Sequence, residues 1–292
     1  MANGFIAFPN RVDDAAVVLT GGSWQIGLDA LKDPALQRVA RTASADPADT
    51  ILAVDLGRER TIRILCLCNH TMDLDGRVRV RGWNDAGTTS LAYDSGWTDA
   101  FPAIFDTSDL EWEDDNFWSG QIDPEQIEDY PSNYIHVLPQ QEFLRYWSVE
   151  LENPTNPAGY IDVGRLFMAP GWVPRWNFTL GPTLGVETDT LTDTTLAGVE
   201  EHERREPRRV AALRWDFMDL VEGTNQALRL DVWAGIDRQV FLCWDPANPL
   251  LMQQRSFLGK LRTLSPLEQP YVNMTGKSVE IKEVSWRTYE RI

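Results

Sequence analysis

Apolar and polar residues alternate along much of the chain. Gly76–Trp83 reads GRVRVRGW, with Arg77, Arg79 and Arg81 on one side and Val78 and Val80 on the other. That period of two predicts a half-buried strand whose arginine face meets solvent or the chain's own acids. Thr61–Cys68 (TIRILCLC) sets Ile62, Ile64, Cys66 and Cys68 against Arg63, Leu65 and Leu67. Thr50–Leu56 (TILAVDL) is β-rich and stops at Gly57, and Ala15–Leu19 is a short apolar run. Tyr146–Glu152 and Tyr160–Met168 read as strands around the Asn-, Pro- and Gly-rich turn NPTNPAG. Residues 84–145 are less regular and read as long loops with short strands, the kind of excursion that often carries function.

A boundary falls near Ala169–Pro174 (APGWVP). Beyond it Arg208–Phe217 reads as a strand, Gln239–Trp244 as a buried strand and Lys277–Arg287 as strand-like. Asp219–Ala234 is the best helix candidate, with Val221, Thr224, Leu228 and Val232 at helical spacing and Gly235 as its stop. Strands and helices do not alternate regularly, which argues against Rossmann and TIM architectures. The expected class is mainly β.

Charge excludes more than it identifies. The 292 residues hold 27 Lys and Arg against 44 Asp and Glu, a net charge of −17. A main surface that grips nucleic acid or anionic lipid needs the opposite sign. No apolar run approaches the roughly 18 residues of a membrane span, so no membrane insertion is expected. No leader segment is expected either. The three cysteines, Cys66, Cys68 and Cys243, do not form a disulfide framework and read as buried small hydrophobes.

Catalytic motifs are missing from the sequence. There is no nucleophile elbow, phosphate loop, zincin helix or dinucleotide fingerprint. Glu111, Glu113, Asp114 and Asp115 are imaginable as a glycosidase pair, but carboxylates this close in a polar stretch read as a solvated loop. Asp73-Leu-Asp75-Gly76 holds a fragment of a calcium loop, yet Arg77 and Arg79 follow where oxygen ligands are needed, so a turn is expected. His70 and His136 read as hydrogen-bonded structural histidines and His202 as exposed. The mixed run Glu200–Arg209 reads as a salt-bridged surface or a subunit contact. No cofactor, metal or enzymatic activity is expected.

Twelve tryptophans leave a choice. Filling the core between β-layers is the first reading, a protein interface the second and stacking on sugar the third. Trp112, Trp118, Trp172 and Trp176 lie in loop-like segments and are the candidates for interface or glycan contact.

Two resemblances add to this. Thr50–Gly57 followed by Arg60–Leu67, with Asn69-His70-Thr71 at its end, resembles the early strands of discoidin or galactose-binding-like modules. Tyr146–Glu150 and Tyr160–Phe167 are similar to their closing strands. Gly164–Phe167 and Gly171–Asn177 resemble virion structural proteins of tailed bacteriophages, and the strand–helix–strand order at Arg208–Trp244 is similar to phage tail-tube-like domains. The resemblances imply a galactose-binding-like jelly-roll β-sandwich over 1–169 and a second β-rich domain with one packed helix over 170–292. They imply a non-enzymatic component of a phage tail tip or baseplate, made in the host cytoplasm and located in the virion. Its partners would be other virion tail proteins and copies of itself in a ring. The second class of function is a carbohydrate-binding module for a host cell-surface glycan.

Overall fold

The computed structural model describes residues 3–106, 108–123, 132–179, 181–194, 198 and 200–285. The first half contributes β1 (Phe5–Ala7), β2 (Val18–Thr20), β3 (Trp24–Ile26), β4 (Ala40–Thr42), β5 (Ile51–His70), β6 (Arg77–Trp83), β7 (Leu91–Asp99), β8 (Asn133–Glu152) and β9 (Asp162–Ala169). The second contributes β10 (Gly171–Trp172), β11 (Thr183–Glu187), β12 (Leu191–Thr194), β13 (Glu200–Glu203), β14 (Arg208–Asp219), β15 (Gln239–Cys243), β16 (Phe257–Thr263), β17 (Glu268–Tyr271) and β18 (Met274–Glu283). The protein is mainly β, with two large antiparallel sheets and a helix packed on the second, and the first sheet folds as a jelly-roll sandwich.

The sandwich is built on two long strands. β5 and β8 each run 20 residues. Straight, such a strand would span about 66 Å, beyond the width of a small domain, so both must bend. The pairing of β5 with β8 shifts between Asp55 and Arg60 and again between Ile62 and Ile64. Gly57, at φ +72°, turns the chain at the first shift, where its N–H donates to Asp55 Oδ1 at 2.8 Å. Each long strand thus serves both layers, in the strand order β3-β4-β9-β5-β8-β6-β7 with β2 on β5. Between the layers lie Leu52, Val54, Leu56, Ile62, Leu65, Leu67, Val80, Trp147, Val149 and Leu166, all buried.

Two expectations change here. Ile62 does not share a face with Ile64: it belongs to the sandwich core, and Ile64, Cys66 and Cys68 point the other way. The bulge between them reverses the alternation. The closing strand begins at Asn133, not Tyr146, because the register passes from Ile62↔Glu142 to Ile64↔Val137 and leaves Leu138–Gln141 looped out around Pro139. A proline within a strand hides it from pattern reading.

The second sheet has the order β10-β1-β15-β16-β18-β14-β11, with β17 on β18. Its β1 comes from the extreme N-terminal part of the chain, pairing Phe5–Ala7 with Cys243–Phe241. This sheet packs its inner face on the outside of the sandwich. Phe5, Ala7, Phe241, Cys243 and Leu258 meet Ile64, Cys66, Cys68, Ile135, Phe167 and Ala169 in one buried cluster. Phe167 and Phe241 sit with ring centroids 5.9 Å apart. Strand β9 is buried at all eight positions because both of its faces are covered. The three thiols are free within this apolar seam, and burial pushes Cys68 and Cys243 up to about 12. They are packing groups rather than nucleophiles.

The helix covers the other face of the second sheet. It runs from α1 (Leu220–Glu222) through a π turn at Gly223–Ala227 into α2 (Leu228–Ala234) and ends at Gly235. Asp219 caps it, its side chain accepting from Val221 N at 2.8 Å. The buried residues are Gly223, Ala227, Leu230 and Ala234. The expected stripe of Val221, Leu228 and Val232 faces outward, with Val232 81% exposed. Close approach explains the reversal: a Cβ at Gly223 would stand 2.2 Å from Thr275 Oγ1, so small residues must face the sheet. Lys277, buried on β18, ties the helix down through Asp231 and the Ser265 carbonyl. A short α3 (Pro249–Arg255) was not anticipated from the sequence pattern.

Candidate functional site

One end of the sandwich is closed by the segment after β7. Ala100, Phe101, Ile104 and Ile122 fill the mouth of the core. Gln121 fixes the segment by donating from Nε2 to Phe101 O at 2.8 Å and Leu74 O at 3.1 Å. Beside it the turn Asp73–Gly76 closes by Gly76 N to Asp73 O at 3.1 Å. The Asp73 carboxylate accepts from Asn153 Nδ2 at 2.7 Å, Thr155 Oγ1 at 2.9 Å and Asp75 N at 3.0 Å. That satisfied carboxylate is a brace between two loops, in line with the turn reading. Among the described residues no cluster of three or more His, Cys, Asp or Glu is placed to hold a metal.

These loops frame an open cleft of about 440 Å³ lined by Asp75, Arg77, Asp99, Gln121, Glu152 and Thr155, with Ser119 on its rim. Arg77 and Asp99 face each other loosely at 3.8 Å, both more than half exposed. The neighbouring arginines are engaged more tightly. Arg79 forks onto Asp94 (Nε–Oδ1 2.9 Å), holding that carboxyl down to about 2, and Arg81 pairs with Glu150. The arginine face of β6 is therefore compensated within the chain. The cleft offers carboxylate acceptors, the Arg77 guanidinium and the hydroxyls of Ser119 and Thr155, a polar set suited to a ligand rich in hydroxyl groups.

Two exposed tryptophans lie in the segment between β7 and β8. Trp118, next to Ser119, is 85% exposed and stands edge-on to Phe117 at 5.2 Å, and Trp112 is 72% exposed. Trp176 is also exposed, in the second half, with the Arg175 guanidinium 5.9 Å above its ring. Trp172 is different and corrects the expectation of four contact residues. It is 6% exposed, packs on Trp215 at 5.6 Å and donates from Nε1 to Glu222 Oε1 at 3.2 Å. It sits on the two-residue strand β10, and its neighbours in the sheet draw it into the core. Glu111, Glu113, Asp114 and Asp115 lie on the exposed turn, and none of them lines the cleft.

The histidines divide as well. His136 shares a 2.6 Å hydrogen bond with the Tyr93 hydroxyl and stacks on Tyr134, and burial lowers its pKa to about 4. His70 is buried against Phe101, neither ring nitrogen has a hydrogen-bond partner among the described residues, and burial lowers its pKa to about 3. The expected hydrogen bond at His70 is absent. His202 is exposed on β13, 3.0 Å from Thr192 Oγ1. Pattern reading missed Gln121 and Thr155 because their roles are tertiary. The NPTNPAG turn, which contains Thr155, was the one visible signal.

The sandwich thus carries a polar cleft at its loop end. No protein-family model matches the chain, and no curated protein matches it. Solved structures similar to part of the chain include carbohydrate-binding modules and a glycoside hydrolase. One is the CBM32-6 module of a family 89 glycoside hydrolase from Clostridium perfringens, at 11% identity and TM-score 0.34, covering 56% of this chain and 100% of that one. Another is the family 32 CBM of C. perfringens NanJ in complex with galactose, at 12% identity and TM-score 0.35, covering 56% and 99%. A third is a Ruminococcus gnavus GH29 fucosidase in complex with fucose, at 10% identity and TM-score 0.35, covering 56% of this chain and 27% of that one.

Proposed function

We propose that the loop end of the sandwich is a recognition surface for a cell-surface saccharide, acting by binding without turnover. The observation that carries this is the polar cleft, one of whose lining residues, Ser119, directly follows the exposed Trp118 in the chain. A flat indole stacks on the C–H face of a sugar ring, and Asp75, Asp99, Glu152 and Arg77 are placed to exchange hydrogen bonds with its hydroxyls. The loose Arg77–Asp99 pair rearranges at little cost, since exposed ion pairs are weak. A glycan array followed by calorimetry tests the reading. A binding glycan whose affinity falls at least about tenfold, or 1.4 kcal/mol, in both Trp118→Ala and Arg77→Gln supports it. An array without a hit, or binding indifferent to both changes, sinks it.

A second reading has its own observation. Val221, Leu228, Val232 and Ile236 leave an apolar line exposed on and just after the helix, and such lines mark contact surfaces. It supports assembly of this chain with copies of itself, in keeping with the resemblance to tail-tip or baseplate proteins and a place in the virion. Sedimentation should show an oligomer that Val232→Glu disperses. A monomer at tens of micromolar would remove this reading.

A further inference from the structure

A second cleft, of about 420 Å³, lies between the helix and the sandwich and is lined by Arg11, Thr61, Gln141, Glu222, Gln226 and Arg229 among others. Arg11 enters it from the segment that joins β1 to the sandwich, where its N–H donates to Met168 O at 2.7 Å. The Arg11 Nε is buried and has no hydrogen-bond partner among the described residues. Arg11 and Arg229 form no ion pair among the described residues, and neither does Arg58 on β5. Arg60 is held by Asp14. Glu222, the acid of the cleft, is engaged: its Oε1 accepts from Trp172 Nε1 at 3.2 Å and Arg175 N at 3.1 Å. Burial lowers the Arg11 pKa, and repulsion from Arg60, Arg229 and Arg58 lowers it further, with Asp14 opposing.

This concentration of cations sits in a chain of net charge −17. Buried donors rarely go without an acceptor, and one left so costs about 1–3 kcal/mol. Arg58 and Arg229 are exposed and Arg60 has Asp14 as its counter-charge, so the repulsion falls on half-buried Arg11, which has no ion pair of its own among the described residues. A single anion would answer both conditions, accepting from the guanidinium forks while the Gln141 and Gln226 amides and the Thr61 hydroxyl supply further donors. We propose that this cleft binds an oxyanion, a sulfate or phosphate group either free or carried on a saccharide. The site is separate from the loop-end cleft and stands whether or not that cleft binds sugar.

Calorimetry and thermal shift with inorganic sulfate and phosphate, at ionic strength held constant with chloride, provide the test. Wild-type protein should show saturable binding and a matching rise in Tm. Arg229→Gln should weaken binding about tenfold, the scale of one charge-assisted contact, and Arg11→Gln should abolish it. Arg77→Gln, at the other cleft, should leave it unchanged. Arg229 is exposed on the helix, so its variant decides the matter if Arg11→Gln does not fold. Absence of saturable binding up to about 20 mM, well beyond the millimolar range of the weakest specific sites, would overturn the proposal. So would equal binding by wild type and Arg229→Gln. A sulfated galactose that binds more tightly than inorganic sulfate, with the gain lost in Arg229→Gln and kept in Arg77→Gln, assigns the group to a saccharide, and affinity equal to that of inorganic sulfate assigns it to the free ion.

Discussion

Trp215 and Trp118 are the same side chain in opposite surroundings. Trp215 is 1% exposed between Trp172 and Phe178, in the core under the helix, and Trp118 is 85% exposed at the loop end. Arginine–acid pairs repeat the contrast. Arg209 and Glu283 are almost fully buried, forked together, with Arg209 also donating to the Gln253 and Gln254 carbonyls at 3.0 and 2.8 Å. Arg77 and Asp99 are open to solvent and 3.8 Å apart. Identical chemistry thus does structural work in the interior and is left free at the cleft. Residue type alone does not separate the two roles; burial does.

The largest effect should come from emptying the interior. Trp215→Ala removes a buried ring and should cost about 3–5 kcal/mol, read as a lower denaturation midpoint with unchanged m. Trp215→Phe should cost much less, because the Nε1 it discards has no hydrogen-bond partner. If Trp215→Ala proved nearly neutral, the packed second core would be wrong.

Next comes the buried pair. Glu283→Gln leaves Arg209 without its counter-charge and should cost about 3 kcal/mol, the lower end for a broken buried pair. Asp99→Asn at the exposed pair should change stability by less than about 0.5 kcal/mol. Equal losses in urea titrations of the two variants would erase the distinction between interior and cleft.

Acid should act through the buried histidine. The folded state holds His70 near pKa 3, against about 6.5 in an unfolded chain. Between those values the unfolded state binds more protons, so stability present above pH 6.5 is lost as pH falls toward 3. His136, held near 4, acts in the same direction. His70→Leu should shrink the stability difference between pH 6.5 and pH 5 by roughly 1–2 kcal/mol, below the full slope of one proton because the unfolded histidine is only half protonated at pH 6.5. Parallel pH profiles for wild type and variant would place the acid sensitivity elsewhere.

Much of the fold was legible because alternation survives wherever one face is solvated. Arg77, Arg79 and Arg81 on β6 show it plainly, and so do the Asp219 cap and the Gly235 stop of the helix. Alternation fails where both faces are buried, as at Cys66 and Cys68, and a bulge then moves Ile62 to the other side unseen. The helix misled for a different reason. Its larger apolar residues look like a core stripe, but the sheet lies too close to Gly223 to admit them. Phe5–Ala7 joins a sheet whose other strands lie more than 160 residues away, and no local signal reports that. The candidate site was half visible. Trp112 and Trp118 stand out as aromatics in a loop, whereas the cleft is made by tertiary placement of Asp75, Asp99 and Glu152.

The smallest stability effect is the most telling for function. Trp118→Ala removes a ring that contacts the protein mainly through Phe117, so stability should stay within about 0.5 kcal/mol of wild type. A protein that needed Trp118 to fold would show a lower Tm. A protein that displays it for a ligand would keep its Tm and lose binding. Measuring both on one preparation separates the two, since the stacking contribution of an aromatic ring, about 0.5–1.5 kcal/mol beyond its buried area, appears only in the binding measurement. A lower Tm in Trp118→Ala together with unchanged glycan binding would make the loop-end tryptophan a packing residue and move the search for a ligand to the arginine-lined cleft.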